Sequence, residues 1–298
     1  MVEPLFSSLI ALFVAFLWGI NSHLVKKGMI GENAFSSLFF RSITAFPVLI
    51  VLGIYLIGIN VFLSYFDLKN FPYVFASVIL LVIGDSTYAY ALKKYPVKVI
   101  LPITSIYPLF TQIFLILTGQ EYIGVSILIG TIIIVLGVFM VTRGENGNPI
   151  QKEVILFGLL PAIAWGTSVA FVSYILKSLP GAESISLTGI RILFIGMIGL
   201  GIFLLSKNSV KTYIERPRKE KLNSLFYLGL SGLIAWTFGA SLFFFAVQNI
   251  GAAIPTPISS TNPIWAVLIG TIFGIEFITR KQMLGVFSCV IGTIIILL

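Results

Sequence analysis

The two halves of this chain carry the same residues at one fixed offset, and that recurrence limits the fold more than any other feature. Gly84, Pro102, Pro108, Gly119, Glu121, Gly130 and Gly137 are matched 155 residues later by Gly239, Pro257, Pro263, Gly274, Glu276, Gly285 and Gly292. An ordered set repeated through the closing hydrophobic stretches of each half means one structural unit used twice. The stretches between these marks are long, continuous apolar runs such as LIALFVAFLWG, VILFGLLPAIAW and ILIGTIIIVLGVFMV.

Runs of this kind decide the solvent. The chain is 58% hydrophobic and 10% charged, against about 25% charged in an ordinary soluble domain. A soluble fold could not hide so much apolar side chain, so the surroundings must be largely lipid. A spanning helix needs about 20 residues. Ten such stretches fit, at 5–25, 34–57, 72–92, 97–117, 123–141, 154–175, 184–205, 223–247, 252–271 and 280–298. A transmembrane β-barrel would instead show segments of about ten residues with alternating polarity. The expected fold is therefore an all-α integral membrane protein of ten transmembrane helices. Residues 1–142 form one five-helix repeat, 143–153 a polar linker, and 154–298 the second repeat. Residues 5–25 read as a retained first helix and not as a cleaved leader. Because five is odd, the second repeat enters from the opposite side. The repeats are then inverted around a central cavity, the arrangement that suits alternating access.

Charge adds an orientation. Of the nineteen Lys and Arg, fifteen fall in loops after odd-numbered helices, and only Lys69 and Lys177 lie on the other face. By the positive-inside rule alone the odd loops are cytoplasmic. The net charge of +8 reads as topology, and no polar, basic surface suggests a nucleic-acid partner. The segment 206–222 is the one substantial hydrophilic loop and is expected to lie along the membrane surface. Cys289 is the sole cysteine, so neither a disulfide nor a cysteine metal cluster is available.

Charges inside a helix bundle are costly and usually functional. Arg41 stands eight residues into helix two and Asp85 midway along helix three. At 1.5 Å per residue they reach similar depths, which predicts an intramembrane ion pair. Three roles are open to Asp85: neutralising Arg41 structurally, contacting a substrate ammonium, or carrying a proton. Arg191 occupies the place of Arg41 in the second half. His23, the only histidine, cannot make a zinc site alone and is expected to hydrogen-bond a neighbour. Pro102, Pro108, Pro257 and Pro263 are expected to break helices four and nine in mid-bundle, where Ser and Thr can satisfy the freed carbonyls. Broken helices at a repeat interface are where transporters expose polar groups to substrate. The expected cavity residues are Trp18, Asn21, His23, Arg41, Asp85, Tyr88, Tyr107, Trp165, Arg191, Trp236, Ser260 and Asn262. Gly124, Gly130, Gly137, Gly285 and Gly292 read as close-packing faces of helices five and ten. Glu121 and Glu276 read as caps in the turns before those helices. No GxxxxGK motif followed by Ser or Thr, no GxSxG and no HExxH occurs, so neither ATP-driven transport by this chain nor an enzyme is expected, and no cofactor or metal.

The ordered set resembles the ten-helix EamA-type members of the drug/metabolite transporter superfamily. It comprises Trp18-Gly19, the Lys that follows, Arg41, the Ala-Leu run at 91–95, Pro102 and Pro108, and Glu121 before a glycine-rich helix. Trp165-Gly166, Lys177, Arg191, Ala246, Pro257, Pro263, Glu276 and Gly285 repeat it. The resemblance implies a bundle with helices five and ten behind a cavity formed by the other eight. It also implies both termini in the cytoplasm, opposite to the charge bias. The function expected is secondary transport of a small polar or amphipathic metabolite, amino acid-like or related, across the cell membrane, in the export direction and without ATP. The partners are then a small-molecule substrate and the bilayer, with proton coupling and a monomer or homodimer both open. A lipid or lipid-linked-sugar flippase, or a receptor or assembly protein that transports nothing, are the alternatives.

Overall fold

The computed structural model describes residues 4–142, 152–179, 183–272 and 280–298, and among them every regular element is helical. In chain order these are α1 (Pro4–Gly28), α2 (Ala34–Ile57), α3 (Ile59–Ser64), α4 (Phe71–Lys94), α5 (Val97–Thr104), α6 (Tyr107–Leu117) and α7 (Val125–Thr142). They are followed by α8 (Lys152–Ser178), α9 (Ser184–Leu205), α10 (Lys207–Glu215) and α11 (Arg218–Ser231). A π-helical segment (Gly232–Ala240) leads into α12 (Ser241–Ile250), then α13 (Pro255–Ser259), α14 (Asn262–Ile272) and α15 (Arg280–Leu297). Gly274, Glu276 and most of the expected linker lie outside the described residues.

Burial is inverted relative to a soluble protein. Side chains on the outside of the bundle are apolar, among them Val51, Tyr55, Leu117, Leu136, Met197 and Phe287. Those sealed inside include Ser22, Ser42, Ser77, Thr111, Thr256, Ser260, Arg41 and Arg191. A hydrocarbon solvent produces this partition, since it rewards apolar exteriors and leaves polar groups to satisfy one another. Seven helical stretches are long and apolar enough to cross a membrane: α1, α2, α4, α5 with α6, α8, α9, and α11 through α12. Two further apolar helices, Val125–Met140 and Met283–Leu297, are shorter. Together with α13–α14, these occupy the ten segments marked out in sequence, but the span criterion is met by seven.

Three local corrections follow. The expected surface loop 206–222 is largely helix, since α10 and the first turn of α11 lie in it. The last two linker residues, Lys152 and Glu153, already belong to α8. The eighth apolar stretch is one run of 33 residues whose middle is π-helical, a distortion that periodicity does not reveal.

Packing respects the duplication. α1 lies on α11, the π segment and α12, as α8 lies on α4. α1 also meets α13 and α14, as α8 meets α5 and α6. α2 pairs with α9, and α7 with α15. The ends of the elements fix relative direction. Lys26, near the end of α1, donates to the Leu92 and Tyr95 carbonyls at the end of α4 (2.6 and 2.7 Å). At that same end Tyr95 donates to Glu153, at the start of α8 (3.1 Å). Thus α1 finishes where α8 begins.

The α7–α15 pair is built on glycine. A Cβ on Gly130 would stand 2.6 Å from the Gly292 carbonyl, and one on Gly137 2.7 Å from the Gly285 carbonyl. Gly124 takes no part, since a Cβ there would find nothing nearer than 3.8 Å. Gly130→Ala and Gly137→Ala are expected to push the two backbones apart and cost about 1–3 kcal/mol, while Gly124→Ala is neutral. Thermal unfolding of the three variants in detergent checks this, and equal melting temperatures for all of them would contradict it.

Candidate functional site

Helix geometry sets the site. On α4, Leu81, Asp85 and Tyr88 share one face; on α8, Trp165, Ser168 and Val169; on α5, Leu101, Thr104 and Ser105. These spacings of three and four turn successive side chains the same way. With Trp18 and Asn21 of α1, Arg41 of α2, and Thr188, Arg191 and Ile192 of α9, they enclose a central cavity of about 120 Å³. The π segment, α12 and the start of α14 close it with Ala235, Trp236, Ala240, Phe243, Phe244 and Asn262.

The ion pair expected from depth is present. Arg41 Nη1 donates to Asp85 Oδ1 at 2.8 Å, with both side chains almost wholly enclosed. The Arg41 guanidinium also lies 3.9 Å from the centre of the Trp236 ring, an interaction worth about 2 kcal/mol or more when desolvated. Trp165 Nε1 donates to the other Asp85 oxygen (3.3 Å) and packs edge-on against Tyr88. Arg191 is held differently. Its Nε donates to Ser77 Oγ (3.1 Å), its Nη2 to Ser168 Oγ (2.7 Å), and its face rests 5.0 Å from the Phe244 ring centre.

The proline-marked segments are broken as their sequence requires. α5 stops at Thr104 and α6 restarts at Tyr107, with Pro102 inside the first and Pro108 opening the second. α13 stops at Ser259 and α14 restarts at Asn262, with Pro257 and Pro263 in the corresponding places. Across the two breaks, Ser105 Oγ donates to Asn262 Oδ1 at 2.8 Å. Tyr107 Oη donates to the Thr256 carbonyl at 3.0 Å and bonds Ser259 Oγ at 2.5 Å. The breaks therefore pair with each other beside the cavity, one from each half. The π segment adds a further irregularity. Trp18 Nε1 donates to the Ala235 carbonyl within it (3.2 Å), and Trp236 projects from it toward Arg41.

Of the twelve expected cavity residues, ten line the same space: Trp18, Asn21, Arg41, Asp85, Tyr88, Tyr107, Trp165, Arg191, Trp236 and Asn262. Two do not. His23 bonds the Ala266 carbonyl (3.0 Å) and borders a small separate pocket with Lys98 and Pro263. Ser260 is buried and donates to the Pro257 carbonyl (2.7 Å); its hydroxyl serves the helix break. Glu121 is also reassigned. It caps no turn of α7 and instead accepts from the backbone N–H of Ala252 and Ala253, from Ser173 and from Lys177. It thus ties the end of α6 to α8 and to the approach to α13. Ser77, Ser168, Thr188, Phe243 and Phe244 were missed from sequence. Ser168 and Thr188 stand three residues from Trp165 and Arg191, Ser77 eight before Asp85, and helical spacing from those anchors was the available signal.

Comparison with known proteins settles the family. The sequence profile of the EamA-like transporter family matches residues 5–143 and again 152–298. The chain belongs to the EamA-like transporter family. It is 25% identical over 302 residues to an Archaeoglobus fulgidus protein described as an uncharacterized transporter, covering 97% of each chain. It is 24% identical over 315 residues to the uncharacterized inner membrane transporter YedA of Escherichia coli K12, covering 99% of this chain and 91% of that protein. A protein of known crystal structure superposes with a TM-score of 0.74 at 15% identity, covering 98% of each chain, and this shows the shared fold. The protein is thus a multi-pass integral protein of the cell membrane and belongs with transporters.

Removing one partner of a buried ion pair leaves a charge in low dielectric, at a cost of about 3–5 kcal/mol, whereas replacing both by apolar groups is often neutral. Asp85→Asn is expected to lower the melting temperature well below that of the double variant Arg41→Met/Asp85→Leu. Differential scanning fluorimetry in detergent distinguishes the two, and an Asp85→Asn protein as stable as wild type would contradict the assignment.

Proposed function

We propose that the protein is a secondary carrier that moves a small polar or amphipathic metabolite outward across the cell membrane by alternating access of the central cavity. In this reading ten spans form two inverted five-helix repeats, and the α7–α15 pair is a scaffold beside the moving parts. The observation that carries the proposal is the pairing of the two broken helices, one from each half, beside a buried cavity that both halves line. A bundle whose moving halves meet at the substrate can exchange inward-open and outward-open forms without moving the site. The opposite directions of α1 and α8 support inversion. The cavity's small size supports a compact substrate, and its mixed aromatic and polar wall supports an amphipathic one.

The test is counterflow in proteoliposomes across amino acids, sugars, nucleotides, organic acids and polyamines, with a pH dye trapped inside to read proton coupling. Ala240, the last residue of the π segment, lines the cavity, so Ala240→Trp should fill it. Saturable exchange of one class is expected in wild type and lost in Ala240→Trp at an unchanged melting temperature. Absence of exchange for every soluble class would overturn the carrier reading.

A further inference from the structure

The duplication kept two arginines and only one acid. Arg41 and Arg191 occupy corresponding places in the two halves, but the position 155 residues beyond Asp85 is Ala240. Arg41 is neutralised by contact with Asp85. Arg191 is 2% exposed, and among the described residues no carboxylate lies within ion-pair distance of it. Its hydrogen-bond partners there are two neutral hydroxyls, Ser77 and Ser168, and its face meets Phe244. Asp85 acts on Arg191 only through space, and both its oxygens are already engaged by Arg41 and Trp165. The charged groups lining the cavity are two cations and one anion, a surplus of one positive charge in a low-dielectric site.

We propose that the substrate supplies the missing charge: a small organic monoanion whose carboxylate pairs with Arg191. The inference rests on the carrier reading and narrows its substrate class. A buried guanidinium is strongly disfavoured without an anion, and Ser77 and Ser168 give Arg191 hydrogen bonds but no opposite charge. Trp165, Phe243 and Phe244 provide the apolar wall for the rest of the molecule. The volume of about 120 Å³, near the ~150 Å³ that holds one benzene ring, favours a compact substrate such as a single ring or a short chain. A zwitterion fits less well, because its ammonium would need a carboxylate that Asp85 no longer offers.

The test begins with wild-type full-length protein in detergent and needs no variant. Intrinsic tryptophan fluorescence is titrated with acetate, lactate and benzoate, each against its own amide, with benzylamine and inorganic phosphate alongside. At least one carboxylate is expected to bind about 10- to 100-fold more tightly than its amide, the range of a hydrogen-bonded charge contact. Arg191→Gln should erase that preference, and Arg191→Lys should keep part of it; melting temperatures establish that both variants fold. Equal binding of acid and amide, preference for the amine, no binding by any carboxylate, or a preference unmoved by Arg191→Gln would each overturn the proposal. Phosphate binding more tightly than every carboxylate would overturn it in favour of an inorganic oxyanion. Counterflow separates this inference from the one beneath it. Exchange confined to neutral or cationic compounds would sink the anion and leave the carrier standing. Selective anion binding with no exchange of any compound would sink the carrier.

Discussion

The structure depends on keeping three charged side chains inside a bundle whose outside is hydrocarbon. Lipid offers no hydrogen bonds and no screening, so Arg41, Asp85 and Arg191 must find everything they need among their neighbours. Arg41 bridges to Asp85 and stacks on Trp236; Asp85 also takes the Trp165 indole; Arg191 takes two hydroxyls and a phenyl face. These contacts run between α2, α4, α8, α9 and the second half's π segment and α12. The charges therefore organise both halves around one point, and the cavity is the space their side chains leave.

Irregular backbone is confined to the same neighbourhood. The α5–α6 and α13–α14 breaks and the π segment all expose carbonyls that a regular helix would hide. They are tolerated because Trp18, Tyr107 and the local hydroxyls bond those carbonyls or lie against them. Away from the cavity, α7 and α15 are regular and pressed together through glycine. The molecule thus divides into a polar, interrupted centre and a regular flank packed through glycine.

Much of this was legible in the chain. The Arg41–Asp85 pair followed from counting rise along two adjacent helices, and the two breaks followed from prolines in register. The glycine faces followed from seven-residue spacing, although Gly124 proved to be outside the contact. The misreadings share a cause. His23 lies beyond Asn21 on α1 and turns to the Ala266 carbonyl, and Ser260 lies in the α13–α14 break, where spacing along the chain does not give the direction of a side chain. Glu121 looked like a local cap because sequence shows only its own turn; its partners are 52 to 132 residues away. The π segment leaves no mark in apolar periodicity, since the run it interrupts is mostly apolar on both sides of it.

By itself the sequence determined the solvent, the helical class, the duplication and the family, because each is written in composition or in order along the chain. Counting rise along the chain pointed to the Arg41–Asp85 pair, but tertiary structure alone decided that Arg191 meets hydroxyls and a phenyl face in place of a carboxylate. Arg41 and Arg191 look equivalent in sequence, and only the packing of α4 beside α2 brings Asp85 to one and leaves hydroxyls for the other. The physical reason is that charge neutralisation in a low-dielectric interior works by contact over a few ångströms. Contact is a property of how helices are placed and rotated, which no one-dimensional pattern records.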